Sequence, residues 1–270
     1  MKAKFLYFFL IVVFALFSCE KGSFYEKIGD GTLLKQVIIE GEVFYEYNYN
    51  SADLILEEKN KFHYTKYTYN SKNQMIQSDS YWDERLASSS SYILDEAQKR
   101  TEWVSPENTE RDVYSTYKYT RNGQLEKRTT HRLNSDYTSY SLFSYNKQGR
   151  IERITSYHAE KASSYDLYTY DAIGNLTKKE RFNILGSGTT ELQTTTEYEF
   201  DYKHNPYLPF MELIYPGKNT NPNNIVKETY TLHFEVDDFI DNIQITEYSY
   251  EYNLKGYPIR RNVFFEYVYY

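Results

Sequence analysis

Aromatic and polar residues alternate along most of the chain. The aromatic anchors come in pairs separated by one residue: Tyr67/Tyr69, Tyr117/Tyr119, Phe143/Tyr145, Tyr168/Tyr170, Tyr198/Phe200 and Tyr250/Tyr252, with a degenerate copy at Tyr92/Leu94. Residues two apart on a strand share a face, so each pair sets two rings side by side. From Tyr69 the second anchor recurs at Leu94, Tyr119, Tyr145 and Tyr170, in steps of 25, 25, 26 and 25 residues. Four residues past the anchor stands a turn former: Asn73, Gly123, Gly149, Gly174 or Gly256. Glycine and asparagine tolerate the positive φ that a tight turn demands. Two residues later comes an aliphatic side chain (Met75, Leu125, Ile151, Leu176), followed by basic positions: Lys127-Arg128, Arg153, Lys178-Lys179 and Arg260-Arg261. Each unit therefore predicts a β-hairpin, and the row of units predicts an antiparallel meander.

Few windows carry the 3.6-residue period of an amphipathic helix, so the expected class is all-β. Two strands per unit give roughly 14 to 18 strands over residues 33–270, read as one domain. A flat sheet that wide twists until it curls or splits, so a curled, barrel-like sheet is expected, with a two-sheet sandwich as the alternative. The first strands, 33–58, follow the repeat loosely. The longest connection is 203–227, rich in proline and asparagine, and loops of that length are frequently functional.

The segment Tyr168-Thr-Tyr-Asp-Ala-Ile-Gly-Asn-Leu176 resembles the YD repeat of Rhs and related secreted shell proteins, as do Tyr117–Leu125 and Phe143–Ile151. With Asp201-Tyr-Lys-His-Asn-Pro-Tyr207, Asn224-Ile-Val-Lys227 and Tyr248-Ser-Tyr-Glu-Tyr-Asn-Leu-Lys-Gly-Tyr-Pro258, the chain is similar to the small YD-repeat lipoproteins of Bacteroidota, a group without a known function. The resemblance covers most of 60–270. It implies hairpins and an outer-membrane location, and leaves activity open. The repeats are too few for a large closed shell, so enclosure of a toxin is not implied.

The N-terminus adds an address. Lys2 and Lys4 precede thirteen apolar residues, Phe5–Phe17, and then Ser18-Cys19. A positive head, a short apolar run and a small residue before the cut describe an export signal, and the run is too short to span a bilayer comfortably. Leu16-Phe17-Ser18-Cys19 resembles a lipobox, which implies cleavage before Cys19 and lipid on its thiol and amine. Residues 1–18 are thus read as signal peptide and 19–32 as a lipidated tether loosened by Gly22, Gly29 and Gly31. Two or three acyl chains anchor stably where one does not. Cys19 is the only cysteine, so the mature chain has no internal disulfide and no CxxC pair.

Loss of Lys2 and Lys4 moves the formal charge from −7 to −9. An acidic chain with interleaved charges argues against nucleic acid as a partner. The 32 tyrosines argue against disorder despite the low mean hydropathy. Lys127, Arg153, Lys178 and Arg260 fall mid-strand on one face, which argues against strands that cross a membrane.

No catalytic constellation is legible. His63, His131, His158, His204 and His233 are widely spaced and form no zinc pattern, and no Gly-x-Ser-x-Gly elbow is present. Glu57-Glu58 and Asp237-Asp238 with Asp241 are the carboxylate clusters to weigh against a glycosidase pair or calcium. No cofactor motif and no metal site is expected. Trp82 and Trp103 stand near hairpin ends, where they either pack inward or offer a stacking surface to a ligand. The sequence thus points to a noncatalytic, lipid-anchored envelope protein that binds a polysaccharide or an envelope protein. The alternatives are a structural accessory subunit of an outer-membrane complex and, less favoured, a glycan-active hydrolase.

Overall fold

The computed structural model describes residues 30–94, 100–104, 113–132, 135–208, 215–234 and 240–270. These residues form an all-β, antiparallel meander without an α-helix. The strands are β1 (Leu34–Ile39), β2 (Glu42–Tyr49), β3 (Ile55–Asn60), β4 (His63–Tyr69), β5 (Met75–Trp82), β6 (Arg85–Leu94), β7 (Arg100–Val104), β8 (Val113–Tyr119), β9 (Leu125–Arg132) and β10 (Ser135–Tyr145). They continue with β11 (Ile151–His158), β12 (Lys161–Tyr170), β13 (Leu176–Ile184), β14 (Thr190–His204), β15 (Asn223–Leu232), β16 (Asn242–Glu247), β17 (Tyr250–Tyr252), β18 (Pro258–Arg261) and β19 (Phe265–Tyr269). The count exceeds the expected range because β16 and β17 are one run of chain broken at Tyr248-Ser249. Its first half pairs with β15 and its second with β18.

Each other strand pairs with its sequence neighbour, and β1 pairs with both β2 and β19. The sheet therefore curls until its first strand meets its last. Among the described residues β16 pairs with β15 and β17 with β18, and the chain itself makes the connection from β16 to β17.

Each repeat builds the same local device. A polar side chain follows the second anchor, and its oxygen accepts backbone N–H groups across the turn. Asn50, Asn70, Asn146, Asp171 and Asn253 each do this, at 2.7–3.0 Å. The turn closes on a residue at positive φ, whether Asp53, Asn73, Gly123, Gly149, Gly174 or Gly256. Asp53 shows that β2 and β3 carry the full repeat, with Tyr47/Tyr49 as anchors and aspartate in glycine's place. At Gly174 a Cβ would lie 2.7 Å from the Arg150 guanidinium, which donates to the Asp171 and Ile173 carbonyls.

A bulge at the second anchor splays neighbouring strands and leaves one carbonyl outside the ladder. The anchor of the next unit fills that gap. Tyr49 Oη donates to Leu34 O, Tyr69 to Ile55 O, Tyr145 to Leu125 O and Tyr170 to Ile151 O, at 2.7–2.8 Å. Tyr250 reaches Ile225 O at 3.0 Å and Tyr269 reaches Pro258 O at 2.6 Å. Burial pushes the Tyr170 phenol up to about 12, so this hydroxyl remains a donor.

The first anchors and aliphatic residues form the core on one face of the curl. Leu34, Val37, Tyr47 and Tyr267 make one cluster, and Phe143, Ile154, Tyr168 and Leu176 make another. Elsewhere this face carries small polar pairs, such as Thr65–Ser80 at 3.3 Å and Ser115–Thr130 at 3.4 Å. The opposite face is laced by cations over rings: Lys127 lies 3.7 Å from the Tyr140 ring centre and Arg153 3.9 Å from that of Tyr165. Lys178 pairs with Glu180, and Arg260 with Glu251 and Glu266.

The end of the presumed tether is already fixed. Asp30 accepts from Thr32 N at 2.9 Å and from Tyr257 Oη at 3.1 Å, and Lys255 Nζ donates to Thr32 Oγ1. Hydrogen bonds from Thr32 hold the Asp30 carboxyl down at about 2.

Replacing Tyr145 or Tyr170 by phenylalanine leaves a carbonyl unpaired and is expected to cost about 1–2 kcal/mol each in urea denaturation. Because the Asp30 pKa is depressed by folding, its contribution is complete above about pH 4 and is lost as pH falls through about 2. Hydrogen exchange at the Thr32 amide should accelerate across that window and stay slow above it.

Candidate functional site: the cavity beneath the 205–222 loop

Between β14 and β15 the short turn of the repeat gives way to a long connection, described at 205–208 and 215–222, with a 3-10 turn at Lys218–Thr220. Proline and asparagine deny it a ladder, so asparagine side chains supply the missing bonds. Asn175 and Asn223 exchange two hydrogen bonds at 2.9 and 3.0 Å. Asn221 Oδ1 accepts from Leu176 N at 2.7 Å, and Asn205 Nδ2 donates to Asn221 O at 2.9 Å. Asn224 is held by Asp201, which also accepts a short hydrogen bond from Tyr252 Oη. Asn175 and Asn221 are each 1% exposed, so the loop's footing is part of the interior.

Two tyrosines carry the loop to both core clusters. Tyr207 packs with Tyr267 and the β1–β2 residues. Tyr215 packs on Phe143 and accepts a hydrogen bond from Arg128 at 3.0 Å. The loop thus lies against the core face of the curl and touches widely separated strands.

Beneath it is a cavity of about 200 Å³. Tyr207, Tyr248, Tyr250 and Tyr267 supply ring walls, and Asn205, Asn219 and Asn224 supply amides. Among the described residues, Arg261, from the end of β18, is the only charged side chain in the lining. Its guanidinium lies 4.0 Å from the Phe265 ring centre and 5.4 Å from that of Tyr248. Arg261 Nε is buried without a hydrogen-bond partner, and among the described residues no carboxylate pairs with the group. Burial pushes the Tyr207, Tyr250 and Tyr267 phenols upward, so their hydroxyls stay protonated. The site offers a fixed cation, aromatic faces and neutral hydrogen-bonding groups. No nucleophile–base pair lines it.

The residues singled out from sequence fall elsewhere. Trp82 is exposed and stacks on Phe62 at 6.2 Å and 22°, at the end of the sheet opposite the repeat turns. Exposed Phe44, Leu86, Val263 and Phe264 stand at neighbouring hairpin ends there. Trp103 is in β7, with its side chain outside the described set, and Cys19 and Asp237-Asp238 lie outside the described residues. Glu57 and Glu58, adjacent on β3, face opposite sides. Glu57 accepts from Tyr64 at 2.6 Å, and burial pushes Glu58 up, so the two do not form an acid–base pair.

One grouping was not legible. Thr195 Oγ1, His233 Nε2 and Asp241 Oδ2 line up at 2.8 and 2.7 Å. This is the order of a nucleophilic triad. Thr195, however, is a buried mid-strand residue, and the cavity described above does not reach it. His233 N donates to Gln193 O, and Phe234 N to Asp241 Oδ1, so the three side chains clasp the β15–β16 connection onto β14. Only the β14–β15 register, which sets Leu232 opposite Thr194, brings them together. Arg261 and the asparagines of 205–224 were noted for basic patterning and loop composition alone.

No family model matches the chain. No curated protein matches it either. Among solved structures it is similar to a porin-like protein from Bacteroides uniformis, at 13% identity over 88% of this chain and 96% of that one, with a TM-score of 0.44. A porin-like protein from Bacteroides vulgatus aligns over 88% of this chain and 99% of that one, at 12% identity and a TM-score of 0.37. The TcdB2-TccC3-Cdc42 structure aligns over 76% of this chain but 13% of its own, at 10% identity and a TM-score of 0.27.

Asn221→Ala removes the acceptor of the buried Leu176 N–H, so a loss of about 1–3 kcal/mol is expected. Faster hydrogen exchange at Leu176, with Tyr145 and Tyr170 contacts unchanged, is the measurement that separates loop release from general unfolding.

Proposed function

We propose that this chain is a lipid-anchored protein of the bacterial cell envelope, held in the outer membrane by acyl chains on Cys19, with a noncatalytic binding role. The observation that carries the binding role is the Arg261 cavity. It holds a guanidinium whose Nε has no partner, among protonated phenols and amides, which makes a recognition surface. The ligand class is a polysaccharide or an envelope protein; nucleic acid is excluded from the proposal by the acidic balance.

The second reading, a structural accessory subunit of an outer-membrane complex, draws on a different feature. Phe44, Phe62, Trp82, Leu86, Val263 and Phe264 are all exposed at one end of the sheet. Strand β1 starts at the other end, so the tether leaves away from this apolar rim. That rim suits a protein partner facing away from the membrane.

Cys19→Ser should move the protein from the membrane fraction to the soluble fraction and abolish palmitate labelling; retention of either would overturn the anchor. Protease shaving of intact cells, read by mass spectrometry, divides the two roles. Release of peptides from 33–270 supports binding of external ligands. Protection that ends on lysis supports a periplasmic accessory role.

A further inference from the structure

We propose that the Arg261 cavity takes a carboxylate-bearing sugar, a uronic acid residue of an acidic polysaccharide. This deepens the binding reading above and rests on it.

Arg261 differs in one respect from Arg128, Arg150, Arg153 and Arg260. Arg128 donates to Tyr215 and Ser115, Arg150 to two backbone carbonyls, Arg153 to Thr155, and Arg260 faces Glu251 and Glu266. Arg261 has rings on its faces, and its Nε is buried without an acceptor. A buried guanidinium N–H without an acceptor is costly, and folded proteins rarely leave one so. The group is therefore oriented by Phe265 and Tyr248 and lacks only an anion. A planar carboxylate matches the guanidinium fork through two parallel hydrogen bonds, which a neutral hydroxyl does not.

The rest of the lining selects what carries that carboxylate. Among the described residues no acidic side chain lines the cavity, and the nearby Asp201 carboxylate is engaged by Asn224 and Tyr252. Tyr248 and Tyr250 give the lining an aromatic surface for the C–H side of a pyranose, and the Asn219 amide has both a donor and an acceptor for its hydroxyls. At about 30 Å³ per water, the volume corresponds to roughly six or seven waters, a space suited to one sugar ring. An aliphatic carboxylate would leave the amides unused, and a neutral sugar would leave Arg261 unpaired.

The test is saturation-transfer NMR on the detergent-solubilised full-length lipoprotein, with methyl glucuronide, methyl glucoside and inorganic sulfate as probes. The expected result is millimolar binding of the glucuronide and at least tenfold weaker binding of the other two. Arg261→Gln should weaken the glucuronide at least tenfold. Arg261→Lys, which keeps the charge without the fork, should fall between. Arg260→Gln, on the opposite face, should bind as the parent does. If Arg261→Gln fails to fold, Asn219→Ala provides the same comparison from the loop side. Equal binding of glucuronide and glucoside, tighter binding of sulfate, or an unaffected Arg261→Gln variant overturns the proposal. Binding of glycans that survives these variants but is lost in Trp82→Ala would overturn this site and leave the general binding role intact. Absence of any glycan or protein ligand would overturn both.

Discussion

The hydroxyl that the anchor tyrosines Tyr49, Tyr69, Tyr145, Tyr170, Tyr250 and Tyr269 donate to a neighbouring carbonyl is the interaction on which the sheet depends. The bulge before each repeat turn is needed to give the strands their twist, and it leaves a carbonyl without a ladder partner. Phenylalanine would cover the same apolar surface and leave that oxygen bare. Tyrosine covers the surface and closes the bond. Each unit thus completes the hydrogen bonding of its neighbour, in the manner of repeat proteins whose stability resides between units.

The same rule explains the join between the ends. Strand β19 carries Tyr267 and Tyr269 as an anchor pair, and β1 supplies Leu34 in the aliphatic position, with the bulge at Leu34/Gln36. Tyr269 faces Leu34 as Tyr170 faces Leu176. The pair is a repeat unit cut at its turn, with its halves at opposite ends of the sequence. The 205–222 loop is the complementary exception, a turn lengthened until it lies on the core face. The regular units hold the walls, and the irregular one supplies the cavity.

The alternation of Tyr168/Tyr170 with Gly174 and Leu176 was sufficient to read the hairpins and the meander, because strand period and turn chemistry are local. Tyr47/Tyr49 escaped notice because Asp53 stands where glycine was expected, although aspartate also enters the left-handed region. The pairing of β19 with β1 has no local signal. Nor does the cavity: Arg261 reads as one more basic residue after a turn, and only the folded loop shows that its neighbours are rings and amides. The place of Trp82 near a hairpin end is legible from the Asp83-Glu84-Arg85 that follows it, while its stacking on Phe62 depends on which hairpins neighbour it in the sheet.

Strand β1 sits between a partner that follows at once and one that arrives more than two hundred residues later. Until β19 exists, one edge of β1 is open, with Leu34 and Val37 uncovered. Contacts of such separation demand closure of a very long loop before they return any stabilisation, so the final joining belongs to the slow part of folding. Under the proposed envelope location, the chain crosses a membrane before it can finish itself. Throughout that interval its unpaired edge is the segment most in need of a chaperone's cover.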